Sequence, residues 1–199
     1  MKNSPAPDTT QYQGGVKKMT ASGIPLLVAR LRDALGEHRE EHQLWAPDIP
    51  SGAGPWQMAN GIPAGVAEIL AIADGMHLDY STQLFGSDVL PDRRMSELLA
   101  HAEPLDGCRL PDTSHFFCFG QAASNPLWVN EQDGSVWRVP DDGVLWYTGC
   151  RLERIADTMS DFFTGWVVTD RFRDLAGLPP EDVADNDWCR LLKLTGMAF

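Results

Sequence analysis

The sequence predicts an α+β fold: a single domain with a central antiparallel or mixed sheet flanked by helices. Three observations carry this prediction. Two segments with helical apolar rhythm precede several short β-type runs, and another helical segment follows them. An Asp133-Gly134 pair sits between Leu127-Trp128-Val129 and Val136-Trp137-Arg138-Val139, the pattern of a tight hairpin. Residues 115–119, HFFCF, are almost wholly apolar, as in a central strand covered on both faces.

Taken in order, residues 1–22 are polar, rich in proline and glycine, and without periodicity, so they read as a disordered or loosely attached arm. Ile24, Leu27, Val28, Leu31 and Leu35 recur at helical spacing, with Ser22 as candidate N-cap and Pro25 in the first turn. That helix is expected to fray between Gly36 and His42. Residues 44–61 form a proline- and glycine-rich loop. Pro63 opens a second helix whose buried stripe is Val66, Ile69, Leu70 and Ala73, with Gly75 ending it. Residues 77–80 and 83–86 are short strand candidates. Residues 92–102 read as a helix with Met95, Leu98 and Leu99 inward. After the hairpin, residues 144–148, VLWYT, read as a further strand. Asp157 or Thr158 caps a helix whose stripe is Met159, Phe162, Phe163, Trp166 and Val167. The domain therefore spans residues 23–178. Residues 179–199 are an extension with a short helix near 187–194, expected to be peripheral.

A type I′ turn at Asp133-Gly134 would pair Gln132 with Ser135, Asn130 with Trp137 and Trp128 with Val139. Side chains two apart share a face. Trp128, Asn130, Trp137 and Val139 then line one face, which is expected to pack on a core.

The chain has 199 residues and a formal net charge of −12. A chain this acidic repels phosphate, which argues against direct binding to nucleic acid. Charge of this kind serves solubility, or steers a basic partner onto an acidic face. Cys108, Cys118, Cys150 and Cys189 stand singly, with no zinc-ribbon spacing. Cys118 reads as a small buried hydrophobe. No secretory signal and no apolar run of spanning length is visible, so the expectation is a cytoplasmic protein with reduced thiols and no membrane partner.

The sharpest catalytic string is His38-Arg39-Glu40-Glu41-His42, a literal H-x-x-E-H. On a helix, imidazoles at i and i+4 share a face and can hold one metal. Against this stand a frayed, charged helix end, the lack of a marked third ligand, and the plain reading of the run as solvated. The expectation is no metal and no cofactor, with His38 and His42 as the weak candidates. No P-loop, G-x-S-x-G or G-x-G-x-x-G is present. The pairs Asp141-Asp142 and Glu181-Asp182 fall in turns or beside prolines and read as loop solvation. Trp128, Trp137, Trp146 and Trp166 fall on core-forming elements, whereas Trp45 and Trp56 sit in a loop, where aromatic residues can anchor a partner.

The order of these features resembles the SUKH superfamily (Smi/Knr-type domains). Ile62-Pro63-Ala64-Gly65-Val66-Ala67-Glu68-Ile69-Leu70-Ala71-Ile72-Ala73-Asp74-Gly75 is similar to that family's opening helix, and Leu84-Phe85-Gly86 to the strand after it. Phe116-Phe117-Cys118-Phe119-Gly120 with Asn125-Pro126-Leu127-Trp128-Val129 resembles its pair of strands. Asp133-Gly134-Ser135-Val136-Trp137 resembles its hairpin, and residues 155–163, IADTMSDFF, its closing helix start. Thr158-Met159 stands where Ser-Phe is usual, and Asn125-Pro126 where Gly-Asp is usual. The resemblance implies a non-catalytic binding domain, an immunity protein that neutralises a cognate bacterial toxin, a nuclease or deaminase and basic in charge. The alternatives are a regulatory interaction domain without a toxin and a metal-dependent enzyme using His38 and His42. The expected partner-binding edge is the acidic, turn-rich one around Asp79, Asp133, Asp141 and Asp142, with Trp45 or Trp56 as anchors.

Overall fold

The computed structural model describes residues 23–54, 61–90, 94–140 and 145–199. The arm, Ser22, Trp56, Asp141, Asp142 and Val144 lie outside the described residues. Helix α1 (Ile24–His38) buries Ile24, Val28, Leu31 and Leu35, the stripe the spacing predicts. Helix α2 (Ala64–Leu70) buries Val66, Ile69 and Leu70. Strands β1 (Met76–His77) and β2 (Gln83–Leu84) follow, then helix α3 (Arg94–Ala100). Only Leu99 of α3 is buried, and Leu98 faces solvent, against its expected inward position.

Strands β3 (Phe116–Ala122), β4 (Asn125–Asn130), β5 (Val136–Arg138) and β6 (Glu153–Ala156) complete a six-stranded sheet in the order β1-β2-β3-β4-β5-β6. Every neighbouring pair is antiparallel. The molecule is thus a single-domain α+β fold. Residues 145–148 form a turn, not the strand their apolar pattern suggests. The place beside β5 is taken by β6, so Ile155 and Ala156 are strand residues and the closing helix starts later.

The strongly apolar β3 is covered on both sides. Phe117, Phe119 and Ala122 join the larger core with Leu127, Val129 and Val136. Phe116 and Cys118 join a smaller core with Leu99, Trp128, Val139, Trp146 and Cys150, against which Trp137 packs half-buried. A bulge falls between Cys118 and Gly120. Gly120 is required there: a Cβ would lie 2.5 Å from the Gln83 carbonyl oxygen of β2.

The β4–β5 hairpin takes another register. Trp128 lies opposite Trp137, and the Asn130 N–H reaches the Ser135 carbonyl at 2.9 Å, so residues 131–134 form the loop. The slip is even, and both indoles keep the predicted face. Its cause is local. Asn130 Oδ1 accepts from the Gln132 N–H at 2.9 Å and opens the turn early. Gly134 alone takes positive φ, so a type I′ turn does not form.

Positive φ at two successive positions instead marks the β3–β4 connection, where Ala123 (φ 49) and Ser124 (φ 65) form the loop. The Ser124 N–H donates to the Ser81 carbonyl at 3.1 Å, tying this turn to the β1–β2 connection. Left-handed backbone is strained for a residue with a Cβ. Ser124→Gly is therefore expected to raise stability by roughly 0.5–1 kcal/mol, read as a higher urea midpoint with unchanged slope; a lower midpoint would refute the strain assignment.

Helix α4 (Met159–Phe162) is capped by Thr158, whose side-chain oxygen accepts from the Asp161 N–H. It runs into a π-helical segment, Phe163–Val167, and Phe162, Phe163, Trp166 and Val167 are all buried. Helix α5 (Phe172–Leu175) precedes helix α6 (Asp187–Leu194). The extension is not peripheral. Trp188, Cys189, Leu191 and Leu192 are buried in the larger core. The Trp188 indole N–H donates to the Val167 carbonyl at 2.8 Å, and its ring meets Phe172 at 6.1 Å. Asn186 caps α6 through the Trp188 and Cys189 N–H groups.

Candidate functional site

The expected edge residues separate in space. Asp79 is buried, 7% exposed, and its carboxylate serves the fold. It accepts from the Ser81 N–H at 2.8 Å, the Thr82 N–H at 2.7 Å and the Asn186 side-chain amide at 3.2 Å. That joins the β1–β2 turn to the cap of α6 and removes Asp79 as a contact for a partner. Trp45 is 52% exposed. It follows buried Leu44 and precedes Ala46, whose N–H donates to Asp187 at 2.9 Å.

Asp133 is exposed at the tip of the β4–β5 loop. The Ser135 hydroxyl, then the Ser135 N–H, holds its carboxyl below the ordinary range, with Arg154 adding a smaller Coulombic share. The Ser135 oxygen in turn accepts from the Trp137 indole at 2.8 Å. The loop tip is thus a fixed anionic group at neutral pH.

Beside this loop lies a cleft of about 480 Å³ between the start of α2, the end of β4 and the start of α4. Pro63, Ala64, Val129 and Met159 give it an apolar floor. Gly65 allows the two helices to close, since a Cβ there would lie 3.0 Å from Met159 Cγ. The ionisable residues of its lining, Glu68 and Glu131, are both acidic and both exposed. Asp133 adjoins Gly134 at the rim. Sequence reasoning found Asp133 but missed Glu68 and Glu131. Glu68 had a signal: it stands off the buried stripe of α2.

Another cavity, about 400 Å³, is lined by Arg154, Asp157, Asp161, Trp166 and Arg171. Its charges answer one another. Arg154 pairs with Asp157 at 2.9 Å, and the Arg171 guanidinium stacks 3.6 Å from the Trp166 ring centre.

The thiols are quiet. Burial pushes Cys118 and Cys189 up to about 12 and Cys150 up to about 11, so these three stay protonated at neutral pH. Among the described residues, one group of side chains has metal-ligand character: His38, Glu41 and His42 lie together at the end of α1. Among the described residues no helix is long and apolar enough to cross a membrane. No family model matches the chain, and no curated protein matches it.

Proposed function

We propose that this chain is a binding protein without catalysis of its own, which captures a basic protein partner at the cleft beside the β4–β5 loop. The observation that carries this reading is the cleft itself, an apolar floor whose ionisable lining residues are acidic. An apolar centre supplies burial on association, and acidic groups at the rim steer a basic surface and fix its orientation.

Four arginines outside the cleft lining are taken up within the fold. Arg32 donates to the carbonyls of Ile49, Pro50 and Ile72, Arg39 to Pro47, Arg138 to Asp174, and Arg190 to His42. These arginines are half-buried staples of loops and helix ends. Glu68, Glu131 and Asp133 stand exposed. The protonated thiols of Cys118, Cys150 and Cys189 offer no ready nucleophile.

The resemblance to SUKH domains gives the partner its class. Among the residues that carry it, Pro63, Ala64, Gly65, Glu68, Val129, Gly134, Thr158, Met159 and Ser160 line the cleft. The reading is an immunity protein that neutralises a basic toxin of the nuclease or deaminase kind. Co-expression with the product of the adjacent gene tests it. Growth that fails with that product alone and recovers when this chain is supplied is the expected result. Continued killing, with no complex recovered, would overturn it.

A further inference from the structure

The function proposed above leaves His38, Glu41 and His42 without a role. Two objections to a metal site there fall away in the structure. The helix end is not frayed. The His42 N–H reaches the His38 carbonyl at 2.9 Å, continuing the i+4 ladder past the last residue of α1. Gln43 then takes positive φ (51), Leu44 N–H returns to the Arg39 carbonyl at 3.0 Å, and Gln43 N–H to the Glu40 carbonyl at 3.4 Å. This is a Schellman closure. It is pinned by fully buried Leu44, by the Arg190 guanidinium on the His42 carbonyl, and by Arg39 on the Pro47 carbonyl at 2.8 Å.

The missing third ligand is also present. A ligand atom from each of His38, Glu41 and His42 lies within 4.8 Å of the others. The imidazoles meet edge to face with centroids 5.5 Å apart, side by side at i and i+4. Bond lengths of ~2.1 Å in a tetrahedral site put ligand atoms about 3.4 Å apart. The remaining contraction falls on side chains that are free to move: the histidines are 35% exposed and Glu41 is 74% exposed. The backbone that carries them is held. A helix C-terminus also favours a cation.

The geometry points to a site for one divalent transition-metal ion of zinc's class, bound by His38, Glu41 and His42 with water completing the shell. Imidazole nitrogens with a carboxylate suit zinc, nickel and copper, and disfavour calcium and magnesium, which take oxygen ligands. The ion bridges the last turn of α1, the turn that Arg190 ties to α6. It reinforces the closure of that turn, at a place separate from the acidic cleft.

Isothermal titration of the purified full chain with zinc chloride, in a buffer that does not bind metal, tests the site. A single saturable event is expected. It should be lost in the His38→Ala/His42→Ala variant, which keeps one ligand of three, and be weaker in Glu41→Gln, which keeps two. Zinc should raise the melting temperature of the parent and leave that of the double variant unchanged. His42→Gln alone, which keeps a polar side chain at this surface, provides the same comparison if the double variant does not fold. Absence of saturable zinc binding by the parent, or binding that the folded variants leave unaltered, would overturn the site. Calcium chloride titrated in the same way should give no event; binding of calcium as tight as zinc would also overturn it.

Discussion

Reversing the charges at the cleft, with Glu68→Lys and Glu131→Lys together, is expected to slow association with the product of the adjacent gene by roughly tenfold at low salt. Both side chains are exposed at the edge of an apolar floor, so the fold should tolerate the change. Exposed substitutions usually move stability by less than about 0.5 kcal/mol. The slowing should shrink as salt rises, because exposed charges are screened. Stopped-flow association at two salt concentrations reads both effects. An on-rate that ignores the two reversals would remove the cleft from the interface. A matched reversal at Asp79 is a poor probe, since its carboxylate closes the β1–β2 turn and holds the α6 cap.

The largest effect on stability is expected at the C-terminal end. Trp188→Ala should cost about 3–5 kcal/mol from cavity formation. Loss of the 2.8 Å bond to the Val167 carbonyl adds about 1–3 kcal/mol, because that acceptor is left buried and unpaired. Together these approach the whole stability of a domain, typically about 5–15 kcal/mol. Ending the chain at residue 178 removes Leu191 and Leu192 as well, and should abolish the cooperative thermal transition followed by circular dichroism. A truncated chain that melts like the parent would contradict the placement of α6 in the core. Trp128 offers a contrast. It is fully buried too, but its indole N–H has no partner among the described residues. Trp128→Phe should therefore cost less than Trp188→Phe, which orphans an acceptor.

Regular periodicity made much of this fold legible. The stripes of α1, α2 and α4 follow directly from side-chain spacing, and β3 from its unbroken apolar run. Misreadings arose where tertiary contacts overrode local pattern. Residues 144–148 have strand composition, but β6 takes the place beside β5. Asp133-Gly134 has the chemistry of a type I′ turn, but Asn130 captures the turn first, and Ala123-Ser124 adopts positive φ without a glycine. Helix α6 was visible from its own spacing, whereas its burial depends on α1, α5 and the π-helical segment, which lie far away in sequence. The site shows the same division. His38 and His42 were marked by the motif, while Glu41 became a ligand candidate only once the structure placed its carboxylate within 4.8 Å of both imidazoles. The cleft joins α2, β4 and α4, so no local stretch could reveal it.

The central claim is capture of a basic protein at an acidic cleft. Its most direct test is a binding titration of the purified chain against the purified product of the adjacent gene, at low and at high salt. A saturable complex is expected, with an association rate that falls steeply as salt rises. No complex at low salt would contradict it.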